Sequence, residues 1–209
     1  GLEHEFLIRV AHPLGDVVTT DPKTALQMAY VRNNSLHLFV LPGLICSLFL
    51  NARSIRMDML QSMIALLYPF FRNEYLLHWR EDGELPAAVE RIASVLEEHG
   101  LVSREDDCLH GAAIHTYASD MLAHLGQTVM PSLERFYLTI RLLVQYGSGR
   151  LDADALSDLA HHTAQRLSLL YEFNSPEFFD KVVLRNFINQ LRDTDLVWQD
   201  DDKALCFGD

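Results

Sequence analysis

The sequence predicts a mainly α-helical fold with small β-hairpins, built as two tandem winged-helix-like repeats. Several segments space their apolar residues at the 3.6-residue period of a helix. Short apolar stretches also flank acidic turns, which is the pattern of a β-hairpin. Finally, Ile55–Leu60 and Leu151–Leu156 share the spacing aliphatic-x-x-Asp-x-Leu, and each opens a helical stretch. This repetition indicates an internal duplication.

A hairpin and a long helix are predicted first. Residues 5–18 form two apolar stretches around a turn at Gly15-Asp16. Asp21 then supplies an N-cap oxygen and Pro22 suits the first helical position, where a missing N–H does no harm. A long helix is therefore predicted over residues 25–50.

The longest apolar run is Leu38–Leu50, which Pro42 and Gly43 interrupt. A helix that crosses a bilayer needs roughly 20 apolar residues, so this run is too short. We expect a buried core helix instead. Proline lacks an N–H and clashes with the preceding turn, so the helix should end or kink at Pro42.

Each repeat is predicted to contain three helices followed by a hairpin. The long helices 25–50 and 130–146 precede the repeated motif. The apolar stripe of the second long helix comprises Leu133, Phe136, Tyr137, Ile140, Leu143 and Val144. The last helix of each repeat is led by proline, at Pro86 and at Pro176, the latter with Ser175 as its N-cap. The hairpins are predicted at residues 101–109 and 196–207.

These elements predict three parts of the chain. Residues 1–20 form a hairpin, interpreted as the remnant of a truncated upstream unit. Residues 21–112 form the first winged-helix-like unit and residues 113–209 the second. Because the chain begins with Gly1-Leu2 instead of methionine, we expect a piece of a longer protein.

Composition narrows the possible functions. The chain has 17 lysines and arginines against 29 aspartates and glutamates, a formal charge of −12. Such a surface disfavours sequence-independent binding to nucleic acid and to anionic lipid head groups. Cys46, Cys108 and Cys206 are widely separated, so neither a disulfide framework nor a zinc site is expected. A reducing cytosol is the natural setting.

A winged helix could bind DNA, and the last helix of each repeat would then be the recognition helix. DNA affinity depends on lysine and arginine contacts to phosphates. The first of these helices has Glu90, Glu97 and Glu98 against Arg91, and the second is similarly balanced. We therefore expect no nucleic-acid partner and interpret the repeats as modules that pack against other protein.

The most informative residues lie at the start of the long helix. Tyr30, Asn33, Asn34 and His37 are spaced i, i+3, i+4, i+7 and share one helix face. We call these four residues the polar face. Asparagine is a poor helix former because its side chain competes for backbone hydrogen bonds. A neutral polar row suits hydrogen bonding across an interface, although a solvated helix surface is the alternative.

His115-Thr-Tyr-Ala-Ser-Asp120 matches the pattern His-X4-Asp, in which an aspartate can orient a histidine base. Two residue types at one spacing are a weak signal in a chain with ten histidines. No phosphate-binding block follows, so no catalytic role is expected. The adjacent His161 and His162 point to different parts of a helix surface. No metal site and no cofactor are predicted.

Two segments resemble a known family. Tyr30–Pro42 and Tyr68–Trp79, in this order, are similar to the C-terminal part of bacterial membrane-associated glycerol-3-phosphate 1-O-acyltransferase. The similarity runs from about Leu26 to Trp198 and includes Gln165-Arg-Leu-Ser168 and Ser175-Pro-Glu-Phe-Phe-Asp-Lys181.

The resemblance implies an acyl transfer from acyl carrier protein or coenzyme A thioesters to the first hydroxyl of glycerol 3-phosphate. The family uses a His-X4-Asp pair with downstream Gly/Arg-rich and Phe-Pro-Glu-Gly blocks that hold the phosphate. Those blocks do not occur in this sequence. The implied setting is the cytoplasmic face of the bacterial inner membrane, which the full-length protein would contact.

We therefore predict a non-catalytic C-terminal region of the acyltransferase that supports the catalytic domain of the same polypeptide. The polar face is the candidate surface for docking on that domain. The alternative is a module that docks other proteins of lipid synthesis, and a DNA-binding regulator is the least favoured reading.

Overall fold

The computed structural model describes residues 6–75, 77, 83–171 and 176–208. Its α-helices are α1 (Pro22–Leu48), α2 (Met57–Tyr75), α3 (Glu84–Glu98), α4 (Tyr117–Gln127), α5 (Met130–Tyr146), α6 (Ala153–Tyr171) and α7 (Lys181–Asp193), with a 3₁₀ turn at Pro176–Phe179. Its strands are β1 (Ile8–Val10), β2 (Val17–Thr19), β3 (Ser54–Arg56), β4 (Val102–Glu105), β5 (Cys108–Gly111), β6 (Trp198–Gln199) and β7 (Leu205–Cys206). The prediction of a mainly α-helical chain with small hairpins is confirmed. The winged-helix interpretation and the predicted domain limits stay predictions.

The chain divides into two compact units, Gly1–Phe39 and Val40–Asp209, which we call the first and second units. In the first unit, β1 and β2 pair antiparallel, with Ile8 opposite Thr19 and Val10 opposite Val17. Gly15 in the connection has φ 122, in the region that favours glycine.

Helix α1 begins with the predicted cap. The Asp21 carboxylate accepts the backbone N–H groups of Lys23 and Thr24 at 3.0 and 3.1 Å. These bonds satisfy two of the amides that have no partner within the first turn of a helix. The hydrogen bonds with Thr24 are the main cause that lowers the pKa of Asp21.

The second half of α1 belongs to the core of the second unit. Val40, Leu41, Leu44, Ile45 and Cys46 are all fully buried, which confirms the predicted core helix for this part of the run. Leu38 and Phe39, at the start of the predicted run, are exposed. Burial raises the pKa of the Cys46 thiol to about 12. None of the described helices is long and apolar enough to cross a membrane.

Pro42 does not end this helix, which continues to Leu48. Proline costs a helix one hydrogen bond and introduces a clash with the preceding turn. The apolar contacts of the fully buried residues on both sides of Pro42 offset that cost. Tertiary packing, which the local sequence does not display, therefore decides the length of α1.

Two glycines allow α1 to pack closely against the region of α4. A side chain at Gly43 would lie 2.5 Å from Thr128 Oγ1 and 3.0 Å from the Leu125 carbonyl oxygen. A side chain at Gly126 would lie 3.0 Å from the backbone nitrogen of Ser47. Any Cβ atom at these positions would separate the helices, so the close contact depends on glycine.

The two hairpins of the second unit lie in similar contexts. In the first, β5 is the central strand of a three-stranded sheet and pairs with both β3 and β4. In the second, β6 pairs with β7, and Asp152 just before α6 bridges Ala204. In both cases the chain just before a helix pairs with the hairpin that follows later. The turn of the first hairpin includes Asp106, whose φ is 50.

Two helix starts differ from the predictions. Helix α7 begins at Lys181 instead of Pro176, and the Asp180 side chain caps it by accepting the Val182 N–H at 2.7 Å. The predicted cap Ser175 lies outside the described residues. Helix α4 was not predicted. It begins with a capping box in which Thr116 and Ser119 bond each other's backbone N–H groups.

The predicted stripe of α5 is wrong for half of its members. Phe136 and Leu143 are buried, but Tyr137, Ile140 and Val144 are exposed. Their places in the core are taken by Ser132, Arg135, Thr139 and Leu142, which are all buried. The buried face of α5 therefore includes the polar residues Ser132, Arg135 and Thr139, which the predicted stripe did not contain.

Aromatic rings connect the two predicted repeats. Phe136 of α5 stacks on Phe187 of α7 with ring centroids 4.3 Å apart. It also contacts Phe71 of α2 edge-on at 5.3 Å, and Phe70 lies 5.3 Å from Phe187. Such pairs stabilise a core beyond simple burial. The hydrophobic core is therefore shared by helices from both repeats.

Candidate functional site

The polar face lies on α1 within the first unit. Tyr30 is 70% exposed, and Asn34 and His37 are also exposed. The side chain of Asn33 lies outside the described part of the structure. Within that part, the side chains of Tyr30, Asn34 and His37 make no hydrogen bond to any other residue. Their polar atoms are available to water or to a partner.

The surroundings of the polar face are strongly apolar. Among the described residues of the first unit, no side chain is buried. The exposed large apolar residues of this unit, which we call the apolar patch, are Phe6, Ile8, Val10, Leu14, Val17, Val18, Leu26, Met28, Tyr30, Val31, Leu38 and Phe39. Large groups of exposed apolar side chains typically mark interaction sites.

The apolar side chains of α1 point in several directions. At 3.6 residues per turn, Val31 and Phe39 lie about 140° and 220° around the helix from Leu26. A helix that is apolar all round is normally buried. Yet Leu26, Val31 and Phe39 are 73%, 64% and 43% exposed. One flat contact would not cover them, so this part of α1 suits a partner that surrounds it.

A cleft of about 1070 Å³ opens in the first unit. It is lined by Phe6, Thr24, Leu26, Gln27, Met28, Tyr30 and Val31. Leu26 lies about one turn before Tyr30 on the same side of the helix. Tyr30 therefore belongs both to the polar face and to an apolar cleft. A partner would bury apolar side chains here and hydrogen-bond beside them.

The His-X4-Asp residues lie in the second unit, away from the polar face in sequence. His115 precedes the N-cap of α4 and has φ 65, and Asp120 is in the first turn of that helix. Both line a second cleft. Among the described hydrogen bonds, none joins the His115 ring to the Asp120 carboxylate.

A buried polar network joins the end of α2 to the start of α5. It comprises Glu74, Tyr75, Ser132 and Arg135. Arg135 forms a salt bridge with Glu74, and their side chains are only 2% and 18% exposed. The Ser132 hydroxyl donates to the Glu74 carboxylate at 3.0 Å. A buried charge is tolerated only with such partners.

The direction of the remaining hydrogen bond follows from this arrangement. Because Ser132 has a single hydroxyl proton and gives it to Glu74, it accepts from Tyr75, whose oxygen lies 2.9 Å away. Burial raises the pKa of Tyr75 to about 12, with the Glu74 charge as a second cause. Tyr75 thus stays protonated as a donor. The hydrogen bonds of the network hold α2 and α5 together.

Within the described residues, no group of three or more histidines, cysteines or acids could hold a metal ion. The geometry therefore offers two kinds of surface, an uncovered apolar patch with a polar face and a smaller cleft near α4.

The family comparison agrees with the resemblance found in the sequence. A family model described as the glycerol-3-phosphate acyltransferase C-terminal region matches residues 1–200. The chain belongs to this family.

Curated relatives extend over nearly the same residues. Glycerol-3-phosphate acyltransferase of Xanthomonas campestris pv. campestris is 38% identical over 210 residues, covering 99% of this chain. The protein of the same name from Xylella fastidiosa strain 9a5c is 37% identical over 97% of the chain. That of Pseudomonas putida strain W619 is 36% identical over 94%. The chain spans about a quarter of their length, 24% in each case.

Sequence reasoning found the polar face of this family member but missed the apolar patch around it. The helical spacing of Tyr30 and His37 is visible in the sequence. The exposure of Leu26 and Leu38 is not, because apolar residues in a helix normally predict burial. The low amphipathicity of α1 could have predicted this exposure. A helix with apolar residues on several sides requires more than one packing partner.

Proposed function

We propose that this chain is the non-catalytic C-terminal region of a glycerol-3-phosphate acyltransferase, and that its first unit docks on the catalytic domain of the same polypeptide. The full-length enzyme would transfer an acyl group from acyl carrier protein or coenzyme A to the first hydroxyl of glycerol 3-phosphate. This reaction starts phospholipid synthesis, at the cytoplasmic face of the inner membrane. The observation that carries the docking role is the uncovered apolar patch.

Burial of the patch would supply the affinity. Fully covering a leucine side chain contributes about 1.5–3 kcal/mol, and Leu26, Leu14 and Leu38 are among its most exposed members. About three quarters of the length of the relatives lies outside this chain. That remainder is a partner present at a ratio of one to one, which favours it over a separate protein.

The polar face would fix the orientation in which the catalytic domain docks. Polar interface groups contribute specificity because an unpaired donor or acceptor in a buried contact costs about 1–3 kcal/mol. Tyr30 and His37 have polar atoms without described partners beside the apolar side chains. A docked domain must match both features, so binding would be selective for one orientation.

Charge pairing supports a role other than DNA binding. Arg104 on β4 pairs with Glu90 of α3 at 2.8 Å. On α7, Lys181 pairs with Asp158 and Arg185 pairs with Asp154. Cations already paired with carboxylates on the same protein contribute little to phosphate binding. Two of the three cations of α7 are therefore already paired with carboxylates.

Expressing the 209-residue chain and the upstream catalytic domain as separate polypeptides tests the docking role. We expect a one-to-one complex on size-exclusion chromatography. Leu26→Asp should weaken it at least tenfold, because it places a charge in the first-unit cleft. The matched control is Leu66→Asp on α2, since Leu66 is a 62% exposed leucine outside the patch. Absence of a complex, or equal loss with both variants, would contradict docking by the first unit.

The polar face has its own test in the full-length enzyme. Asn33→Ala or His37→Ala should lower its activity or stability, with an interface cost of about tenfold in domain affinity. Neither change should alter the melting temperature of the 209-residue chain. If both are silent in the full-length protein, or if they unfold the chain, the polar face is not a docking surface.

The non-catalytic assignment is tested with the chain alone. We expect no conversion of glycerol 3-phosphate and acyl-coenzyme A, because the phosphate-holding blocks of the family are absent from this sequence. Adding the catalytic domain should restore conversion. Turnover by the pure chain would refute the assignment. Capture of other lipid-synthesis proteins, with no affinity for the catalytic domain, would favour the alternative of a docking module.

A further inference from the structure

A cleft of about 530 Å³ in the second unit has features of a small-molecule site. It opens where the end of α1, the segment after β5 and the first turns of α4 come together. Ligand sites are typically concave, mainly apolar and supplied with a few polar groups. The volume lies within the range of such sites, about 300–1,000 Å³.

The floor of this cleft is apolar and its shape depends on a glycine. Phe49 and Leu50 from the end of α1 line it together with the buried Leu122 of α4. A Cβ atom at Gly111 would lie 3.2 Å from the Phe49 ring, so glycine leaves the room that the ring occupies. Ile114 at the edge is 55% exposed. These side chains offer a surface on which a hydrocarbon chain can pack.

The rim carries an arginine that no acid of the described chain neutralises. Arg53 lines the cleft, and its guanidinium makes no hydrogen bond or ion pair within the described residues. By contrast, Arg56 is bonded to Asp58 at 3.1 Å and Arg104 to Glu90 at 2.8 Å. The exposed guanidinium of Arg53 is therefore available to an anionic group bound in the cleft.

Two further ionisable residues lie on the same rim. His115 has φ 65, a conformation that is uncommon for residues with a side chain. Asp120 is the acidic residue in the described lining. Its carboxylate can accept a hydrogen bond from a ligand hydroxyl and disfavours a head group of high negative charge. A cleft lined by one arginine and one aspartate therefore suits a small anionic head better than a polyanion.

We propose that this second-unit cleft binds a single-chain amphiphile with an anionic head group. The hydrocarbon chain packs on Phe49, Leu50 and Leu122, and a phosphate or carboxylate head accepts hydrogen bonds from Arg53. The proposal concerns the second unit alone and does not rest on the docking role of the first unit.

Isothermal titration calorimetry with dodecyl phosphate, kept below its critical micelle concentration, tests the proposal on the 209-residue chain. Arg53→Gln should weaken binding about tenfold, the loss expected for a charge-assisted hydrogen bond. Ala113→Trp, which fills the cleft from its exposed edge, should weaken it by at least as much. The matched control Arg56→Gln should bind as the unmodified chain does. Circular dichroism melting checks that each variant is folded.

Additional titrations identify the ligand class and the location. Leu26→Asp disrupts the apolar cleft of the first unit and should leave the affinity for dodecyl phosphate unchanged. Inorganic phosphate should bind at least tenfold more weakly than dodecyl phosphate, and dodecyltrimethylammonium should show no dependence on Arg53. Equal affinity for inorganic phosphate would show that the hydrocarbon chain contributes nothing to binding, and it would contradict an amphiphilic ligand. Three outcomes would contradict a binding site in this cleft. They are loss of binding in Leu26→Asp, unchanged binding in Arg53→Gln, and no binding by the unmodified chain.

Discussion

The two halves of α1 both carry large apolar side chains, but in opposite surroundings. From Val40 to Cys46 the large side chains are fully buried, whereas Leu26, Val31 and Leu38 are 73%, 64% and 62% exposed. Large apolar residues occur in both halves, although the first half also contains the polar face. What separates them is the presence of packed neighbours, since helical stability in proteins comes mainly from tertiary contacts. The comparison teaches that an apolar helix segment predicts burial only where its partner is present.

The largest expected effect breaks the buried network that joins α2 to α5 in the second unit. Arg135→Met leaves the Glu74 carboxylate partly buried without its cation, and such a loss typically costs 3–5 kcal/mol. Urea denaturation should show this decrease in the free energy of unfolding. Arg185→Met is the matched control, because the pair of Arg185 with Asp154 is about half exposed and exposed pairs contribute about 0–1 kcal/mol. Equal effects would mean that the buried network is not a stabilising element.

A leucine comparison along α1 measures the difference between its halves directly. Leu41→Ala should lower the free energy of unfolding by about 2–5 kcal/mol, because Leu41 is fully buried and its loss leaves a cavity. Leu26→Ala should change it by less than about 0.5 kcal/mol. Both values come from the same denaturant titration of the 209-residue chain. A large loss for Leu26→Ala would show that the first half has packing partners within this chain.

The glycine contact in the second unit gives a smaller effect. Gly126→Ala places a Cβ atom 3.0 Å from the Ser47 backbone nitrogen, and overpacking of this kind costs about 1–3 kcal/mol. Gly208→Ala is the control, because a Cβ atom there has no neighbour within 4 Å. Thermal melting of both variants checks the difference. Equal melting temperatures would show that α1 and α4 can separate without cost.

The smallest effect concerns the cap of α1 in the first unit. The pKa of Asp21 is lowered from 3.8 in the folded chain, chiefly by hydrogen bonds with Thr24. The cap therefore stabilises the helix start at neutral pH and is lost as the pH falls through that lowered pKa. NMR amide shifts of Lys23 and Thr24 should report this local loss, while the second unit remains folded. Unchanged amide shifts of Lys23 and Thr24 in Asp21→Ala would argue against the cap.

Much of the fold follows from local sequence signals. Asp21-Pro22 predicted a helix start, Gly15 predicted a turn, and the run after Leu38 predicted core. Each signal depends on a few neighbouring residues with a known backbone preference. The family was also evident from two segments of sequence.

The remaining features depend on contacts between distant residues. Ser132 and Arg135 are buried because Glu74, about sixty positions earlier, supplies a carboxylate. Hydrophobic periodicity assigns an arginine to the surface, so the stripe of α5 was misplaced. Continuation of α1 through Pro42 likewise depends on tertiary packing. For the candidate site, spacing revealed the polar face, but only the exposed fractions revealed the apolar patch.

The turn between β4 and β5 is a position at which substitution could stabilise the second unit. Asp106 holds φ 50 between β4 and β5, where glycine or asparagine would fit with less strain. Natural proteins seldom reach their maximum stability, and compatible turn substitutions are a recurrent route to improvement. A designer could thus raise the thermal tolerance of the second unit at a position that is not part of the apolar patch. The added stability would then allow mutagenesis of the patch, where useful variants are often destabilising.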